Sequence, residues 1–130
     1  MVTTRRQGLH EVTSDVAALI AGAGQEEGLC TLFVQHTSAS LIIQENADPS
    51  ARGDLENWLN RLVMENDPLY THTQEGADDM PSHIKNVLTA TSLSIPVQHG
   101  RLALGTWQGI YLWEHRRSSH HRRLIVHLGP

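Results

Sequence analysis

Tyr70-Thr71-His72-Thr73-Gln74-Glu75-Gly76-Ala77-Asp78-Asp79-Met80-Pro81-Ser82-His83-Ile84-Lys85 divides a helical middle from a β-rich last third. The stretch holds two histidines and three carboxylates and, apart from Met80 and Ile84, almost no large aliphatic side chain, so a core role explains it poorly. Gly76 permits a tight or left-handed turn. Pro81 suits the first turn of a helix, where its missing N–H has no partner to lose. Asp79 precedes it, where a carboxylate can cap free N–H groups and meet the positive end of the helix dipole. The stretch therefore reads as a polar loop feeding a helix start, a place that binds anions and metals readily.

Upstream, residues 2–9 are β-prone and mostly polar, which predicts one surface strand. Thr13 or Ser14 caps a first helix whose apolar face is Val16, Leu19, Ile20 and Ala23, and the glycines at 22, 24 and 28 end it. Leu29 to His36 alternates as a buried strand, with Cys30, Leu32, Val34 and His36 on one face. A small-residue link then enters a strand from Leu41 to Glu45. His36 and Glu45 thus both stand at strand ends, where sites often form. Asp48-Pro49 opens a second helix with Leu55, Trp58, Leu59, Leu62 and Val63 as its stripe and Trp58 in the core.

Downstream, the third helix is expected to bury Ile84, Val87, Leu88 and Thr91, with His83 beside that face and one turn from Asp79. Leu93–Val97 is a strand that Pro96 places near an edge. Arg101–Leu104 follows as another strand. Trp107 lies on a glycine-flanked loop and so lines a pocket. Ile110–His115 and Leu124–Leu128 are expected to pair as a hairpin across the Arg/Ser/His tip, with His120 and His121 in its solvated turn. The order β-α-β-β-α-α followed by strands predicts an α+β layered domain over 1–130, with a mixed or antiparallel sheet packed against three helices.

A chain of 130 residues suits one domain and can bury a core without disulfides. Its net charge of -4 offers no global field for nucleic acid. The single cysteine, Cys30, reads as a buried inert thiol and favours a reducing, cytoplasmic setting. No apolar run approaches the ~20 residues of a membrane helix, so no membrane partner is expected. Nine histidines make some histidine chemistry plausible without locating it.

No Walker loop, dinucleotide fingerprint, Cys-x-x-Cys or His-Glu-x-x-His is present. Three readings remain open. One is a metal or phosphate site drawn from His36, Glu45, His72, Asp78, Asp79 and His83, where mixed His and carboxylate ligands suit zinc or manganese and carboxylates alone suit magnesium. Another is metal-free acid–base chemistry with His83 as base and Asp79 as its orienter. The last is a non-enzymatic binding or oligomeric module in which these groups satisfy one another.

Three motifs carry a resemblance. They are His36-Thr37-Ser38-Ala39-Ser40-Leu41 with Glu45-Asn46, then Glu75 through Lys85, then Gly105-Thr106-Trp107-Gln108-Gly109-Ile110 with Glu114-His115-Arg116. In this order they resemble the YjbQ-like family, often named secondary thiamine-phosphate synthase enzyme. The resemblance implies a compact α+β fold, a homotrimer with the motifs near a subunit boundary, and a weak thiamine-phosphate synthase activity on a phosphate-containing small molecule. Read with the residue positions above, catalysis is expected on His83, Asp79, His36 and Glu45. Ligand contacts fall to Thr37, Lys85, Trp107, Gln108 and Arg116, and a divalent metal (zinc or magnesium) to His36, His72, Asp78 and His83. Arg123 is a further candidate for phosphate. The alternative under the same resemblance is a non-catalytic trimeric small-molecule or metal-binding module. The dedicated synthases are (β/α)8 barrels of at least ~200 residues, so any such activity here uses a different site.

Overall fold

The computed structural model describes residues 1–130. The elements run β1 (Val2–Thr4), β2 (Gly8–Glu11), α1 (Thr13–Ala23), β3 (Gly28–Val34), β4 (Ala39–Glu45), α2 (Pro49–Leu62), α3 (Asp79–Leu88), β5 (Ser92–Gln98), β6 (Arg101–Leu102), β7 (Gln108–Glu114), β8 (His120–Arg122) and β9 (Leu124–Gly129). All strand pairs are antiparallel. They form a four-stranded sheet β6-β5-β3-β9, a three-stranded sheet β2-β7-β4 and the pair β1-β8. The class is α+β with three helices, as the residue pattern indicates.

Strand β7 organises the layers because both of its faces are covered. Ile110 and Leu112 point one way and join Cys30, Leu32, Val34, Ile95 and Val97 of the other sheet, with Val12, Val16 and Ile20 from the α1 side. Tyr111 and Trp113 point the other way and meet Leu9 of β2 with Leu59 and Val63 of and just beyond α2. This is the period-2 alternation of a strand buried on both sides. Gly109 enters the strand where a Cβ would lie 2.8 Å from Asn46 Cβ and 2.9 Å from Glu11 Oε2, so the glycine of that motif is a packing requirement.

Local chemistry sets the helix starts. Asp48 Oδ1 accepts from Ser50 N at 2.9 Å with Pro49 at the first turn, the cap legible in the sequence. Helix α1 starts without a side-chain cap. Instead Val12 N donates to Ile110 O, and Thr13 Oγ1 accepts from Ile110 N, so β7 pins the helix start. Gly24 closes α1 in the left-handed region at φ 68°.

Several expectations are corrected. The N-terminal segment forms two strands in two places: β1 pairs with β8 and β2 with β7. The α1 stripe narrows to Val16 and Ile20, since Leu19 is exposed. The expected hairpin of Ile110–His115 with Leu124–Leu128 does not form, because β7 lies between β2 and β4 while β9 pairs with β3. The intervening tip is β8, whose Arg122 is buried. Trp58 and Leu62 are half exposed and border an apolar groove of about 410 Å³ with Leu88 and Leu93, so Trp58 is not a core residue. Helix α3 presents Val87 and Leu88 to solvent and buries Asp79, Pro81, Ser82 and Lys85. Its inner face is polar because it packs on a polar layer.

Glu114 anchors that layer. Its carboxylate is fully buried and accepts from Thr4 Oγ1 at 2.6 Å, Arg122 Nε at 2.7 Å, Arg122 Nη2 and Arg116 N at 3.1 Å. Burial alone would raise its pKa, but these hydrogen bonds, Arg122 first, outweigh it and hold the carboxyl below its ordinary range. Arg122→Met is expected to cost about 3–5 kcal/mol in urea unfolding, because it leaves a buried charge without its partner. Adding Glu114→Gln should recover at least half of that. A depressed carboxyl stabilises the fold above its unfolded pKa of ~4.3, and the contribution is lost as pH falls through the folded value, so the double variant should show a flatter acid limb than wild type. A cost below about 1 kcal/mol for Arg122→Met would contradict this role.

Candidate functional site

The polar loop before α3 closes over one carboxylate. Gly76, at φ 107°, turns the chain so that Asp79 N reaches Gly76 O. Asp79 is 3% exposed, and its two oxygens divide their partners. Oδ1 accepts from Arg116 Nη1 at 2.6 Å. Oδ2 lies 2.7 Å from His72 Nε2 and 3.1 Å from His83 Nε2. Arg116 also donates to Glu75 O at 2.9 Å and pairs through Nε with Asp78 Oδ2 at 3.2 Å. Asp78 accepts from Arg117 N at 2.8 Å. Burial would raise the Asp78 carboxyl, but the Arg117 amide and the Arg116 guanidinium pull its pKa below the usual range. Neither aspartate caps the helix, correcting the expected role of Asp79: Arg116 draws both carboxylates away from the helix N–H groups.

The His83 ring reveals what the cluster requires. Its Nδ1 is 3.1 Å from Thr37 O, and a carbonyl only accepts, so Nδ1 carries a hydrogen. A neutral ring then has a lone pair on Nε2, which faces the Asp79 Oδ2 lone pairs. Two acceptors at 3.1 Å need a cation between or beside them, either a proton or a metal ion. An Nδ1–H held by a backbone carbonyl is also the usual outer-shell support of a metal-bound histidine. His72, Asp79 and His83 each offer one ligand atom, all within 4.8 Å of one another. Glu75 adds a carboxylate oxygen 3.9 Å from His72 Nε2. Two imidazoles and a carboxylate suit zinc or manganese; magnesium prefers oxygen ligands alone.

The remaining expected site residues separate. Thr37 joins the cluster through its carbonyl, and Arg116 through Asp79, so Arg116 is engaged by carboxylates and not free for phosphate. Asp78 is held by Arg116 and Arg117 in the same way. His36 stands apart from the three clustered residues: its Nε2 accepts from Arg123 N at 2.8 Å, which ties the end of β3 to the start of β9. Burial, then the Arg122 charge, lowers its pKa, so the ring is held neutral as an acceptor. It borders an open groove of about 500 Å³ with Thr37, Ser38 and Asn86, which His83 does not line. Glu45, Trp107 and Gln108 lie at the far end of β4 and β7. Glu45 pairs with Gln108 while Ala39 pairs with Glu114, so six residues, roughly 20 Å, separate that end from the cluster within one chain. Trp107 is 64% exposed there, and Gln108 Oε1 accepts from Gly105 N as a turn brace. Lys85 turns inward to Asn60, away from the loop.

Fold and site together define a small α+β protein of antiparallel sheets with a buried aspartate clamped between a guanidinium and two imidazoles. The chain belongs to the YjbQ-like UPF0047 protein family, whose pattern it matches over residues 1–129. It is 52% identical to a UPF0047 protein of Synechocystis sp. over 128 residues, covering 98% of this chain and 87% of that one. It is 46% identical to the UPF0047 protein YjbQ of Escherichia coli O157:H7, covering 98% and 92%. A conserved hypothetical protein of Thermus thermophilus shares the fold with a TM-score of 0.85 at 34% identity, covering 98% of this chain and 99% of that one. A YbjQ-like protein of Sulfolobus solfataricus reaches the same TM-score at 21% identity, covering 98% of this chain and 92% of that one, a likeness of fold. No helix is long and apolar enough to cross a membrane.

The geometry separates the two best-placed residues by their structural cost. His83 is a third exposed by side chain and loses one backbone partner on removal, so His83→Ala should cost no more than about 1 kcal/mol in thermal or urea unfolding. Asp79→Ala removes the carboxylate shared by Arg116, His72 and His83 from a buried position, leaving Arg116 only Asp78 and Glu75 O, and should cost about 2–3 kcal/mol. Equal costs for the two variants would contradict the placement of Asp79 at the centre.

Proposed function

We propose that His72, Asp79 and His83 hold one divalent ion of the zinc type and that the protein is an enzyme acting there on a small phosphate-containing molecule. The thiamine-phosphate synthase activity of the family's name would be one weak instance. The supporting observation is the His83 ring: its Nδ1–H donates to Thr37 O, which leaves Nε2 aimed, lone pair first, at a carboxylate. When bound, such an ion supplies positive charge to phosphate oxygens and a coordinated water of lowered pKa. Arg116 fixes the Asp79 carboxylate from behind, and Thr37 fixes the His83 ring. Glu75, mostly exposed beside His72, is the proton acceptor nearest the open side. A recess of about 170 Å³ next to His72, lined by Asn66, Tyr70, Gly76 and Met80, offers the ligand space.

The same reading takes the working form as a cytoplasmic homotrimer. Glu45, Trp107 and Gln108 lie far from the cluster in one chain, so only a neighbouring copy could bring them to it. The second reading is a non-catalytic metal-binding module, favoured by the shallow, open setting of His72, whose side chain is 45% exposed. The test is calorimetric titration of zinc into chelator-stripped protein, followed by an assay of thiamine-phosphate formation with and without the metal. One zinc per chain is expected, weakened at least about 100-fold by His83→Ala and by Asp79→Asn, with turnover that follows occupancy. Binding without turnover of any phosphate compound would support the module. Absence of saturable binding, or an unchanged affinity in His83→Ala, would refute the metal site.

A further inference from the structure

A second polar site lies on the inner side of α3, away from the Asp79 cluster. Lys85 is 4% exposed, and its Nζ donates to a single acceptor, Asn60 Oδ1, at 2.5 Å. No carboxylate stands within ion-pairing distance of it. Two of its three donors therefore lack protein partners, and a buried ammonium without a counterion is costly. His115, 1% exposed, borders the same cavity. Its Nε2 is 2.9 Å from Ser40 Oγ. Ser40 is fully buried and its hydroxyl has no other acceptor, so the hydroxyl proton goes to Nε2. The ring's own proton then sits on Nδ1, which has no partner. Burial first, and the Lys85 charge second, pull the His115 pKa down to about 3, so the ring stays neutral.

Two groups with unmet donors, the Lys85 ammonium and the His115 ring, thus line one polar cavity of about 110 Å³, room for a few waters or one small anionic group. Of the acids on its wall, Glu114 is committed through both oxygens and Glu56 through one. Both Glu114 oxygens are held by Arg122, Thr4 and Arg116 N, and Glu56 Oε2 accepts from Leu9 N at 2.6 Å and Arg6. We propose that the cavity between Lys85 and His115 binds a small oxyanion, the carboxylate or phosphate group of a ligand. Lys85 Nζ and His115 Nδ1–H are its donors, and Asn60 orients the lysine. Charge-assisted donors in a buried setting are strong anion anchors. The site does not depend on a metal at the Asp79 cluster.

The test is NMR of the full chain with the His ring nitrogens resolved, titrated separately with inorganic phosphate and with acetate. Chelator is present throughout, so that no metal at His72 and His83 can serve the anion. A saturable shift of the His115 Nδ1–H signal is expected with at least one of the two anions, and which one responds assigns the class. Lys85→Met should weaken that response at least about tenfold, the loss of one charged donor. Asn60→Ala should weaken it as well and keeps the lysine, so it serves if Lys85→Met does not fold. A His115 signal unmoved by either anion would overturn the proposal. So would unchanged affinity in a folded Lys85→Met, or shifts confined to His72 and His83.

Discussion

The structure turns on one buried carboxylate. Asp79 sits 3% exposed with a guanidinium on one oxygen and two imidazoles on the other. A carboxylate taken out of water must be paired or protonated. Pairing it with Arg116 draws in the segment that follows β7, because Arg116 and Arg117 together hold Asp79, Asp78 and Glu75 O. The loop before α3, the helix start and the end of β7 are thereby fixed against one another. His72 and His83 converge as a consequence of that closure, with no apolar contact needed to bring them together.

The same logic extends inward. Strand β7 carries an apolar alternation through Trp113 and then gives way to Glu114, His115 and Arg116. Each of these buries a polar group and meets it with a partner from a distant element: Arg122 of β8, Ser40 of β4, Asp79 of α3. The end of the three-stranded sheet is thus a polar layer between β1-β8 on one side and α3 on the other. Buried polar networks are costly when half satisfied and specific when complete. Beside Nε of Arg52 and of Arg116, His115 Nδ1 is a buried side-chain atom left without a hydrogen-bond partner, and the Lys85 ammonium has only one.

Much of the fold was legible in the residues. The Asp48-Pro49 helix start, the alternation of Cys30, Leu32 and Val34 and the polar loop feeding α3 follow local rules and are present. What local rules could not show was which face of a helix a polar layer would claim. Val87 and Leu88 read as one buried stripe with Ile84, yet they are exposed while Asp79, Ser82 and Lys85 are inside, because Arg116 awaits the aspartate and Asn60 the lysine. Sequence adjacency also misled the strand pairing: β7 and β9 are near in the chain but belong to different sheets. His72 and His83 were visible as candidates from spacing alone. Spacing also paired Asp79 with His83, but it set Asp78 among the metal ligands, and only the structure shows that Arg117 N and Arg116 take Asp78. Glu45 and Trp107 shared the motifs but not the place, since strand length set them at the opposite end.

The reading of the site rests on where the proton sits on His83. Long-range ¹⁵N–¹H correlation spectra of zinc-loaded, ring-labelled protein, recorded at a mildly alkaline pH, report both ring nitrogens of His83 directly. A protonated Nδ1, held by Thr37 O, together with an unprotonated, metal-shifted Nε2 is the predicted result. An Nε2–H donating to Asp79 with an unprotonated Nδ1 would contradict it, and would leave His72, Asp79 and His83 as a hydrogen-bonded structural cluster.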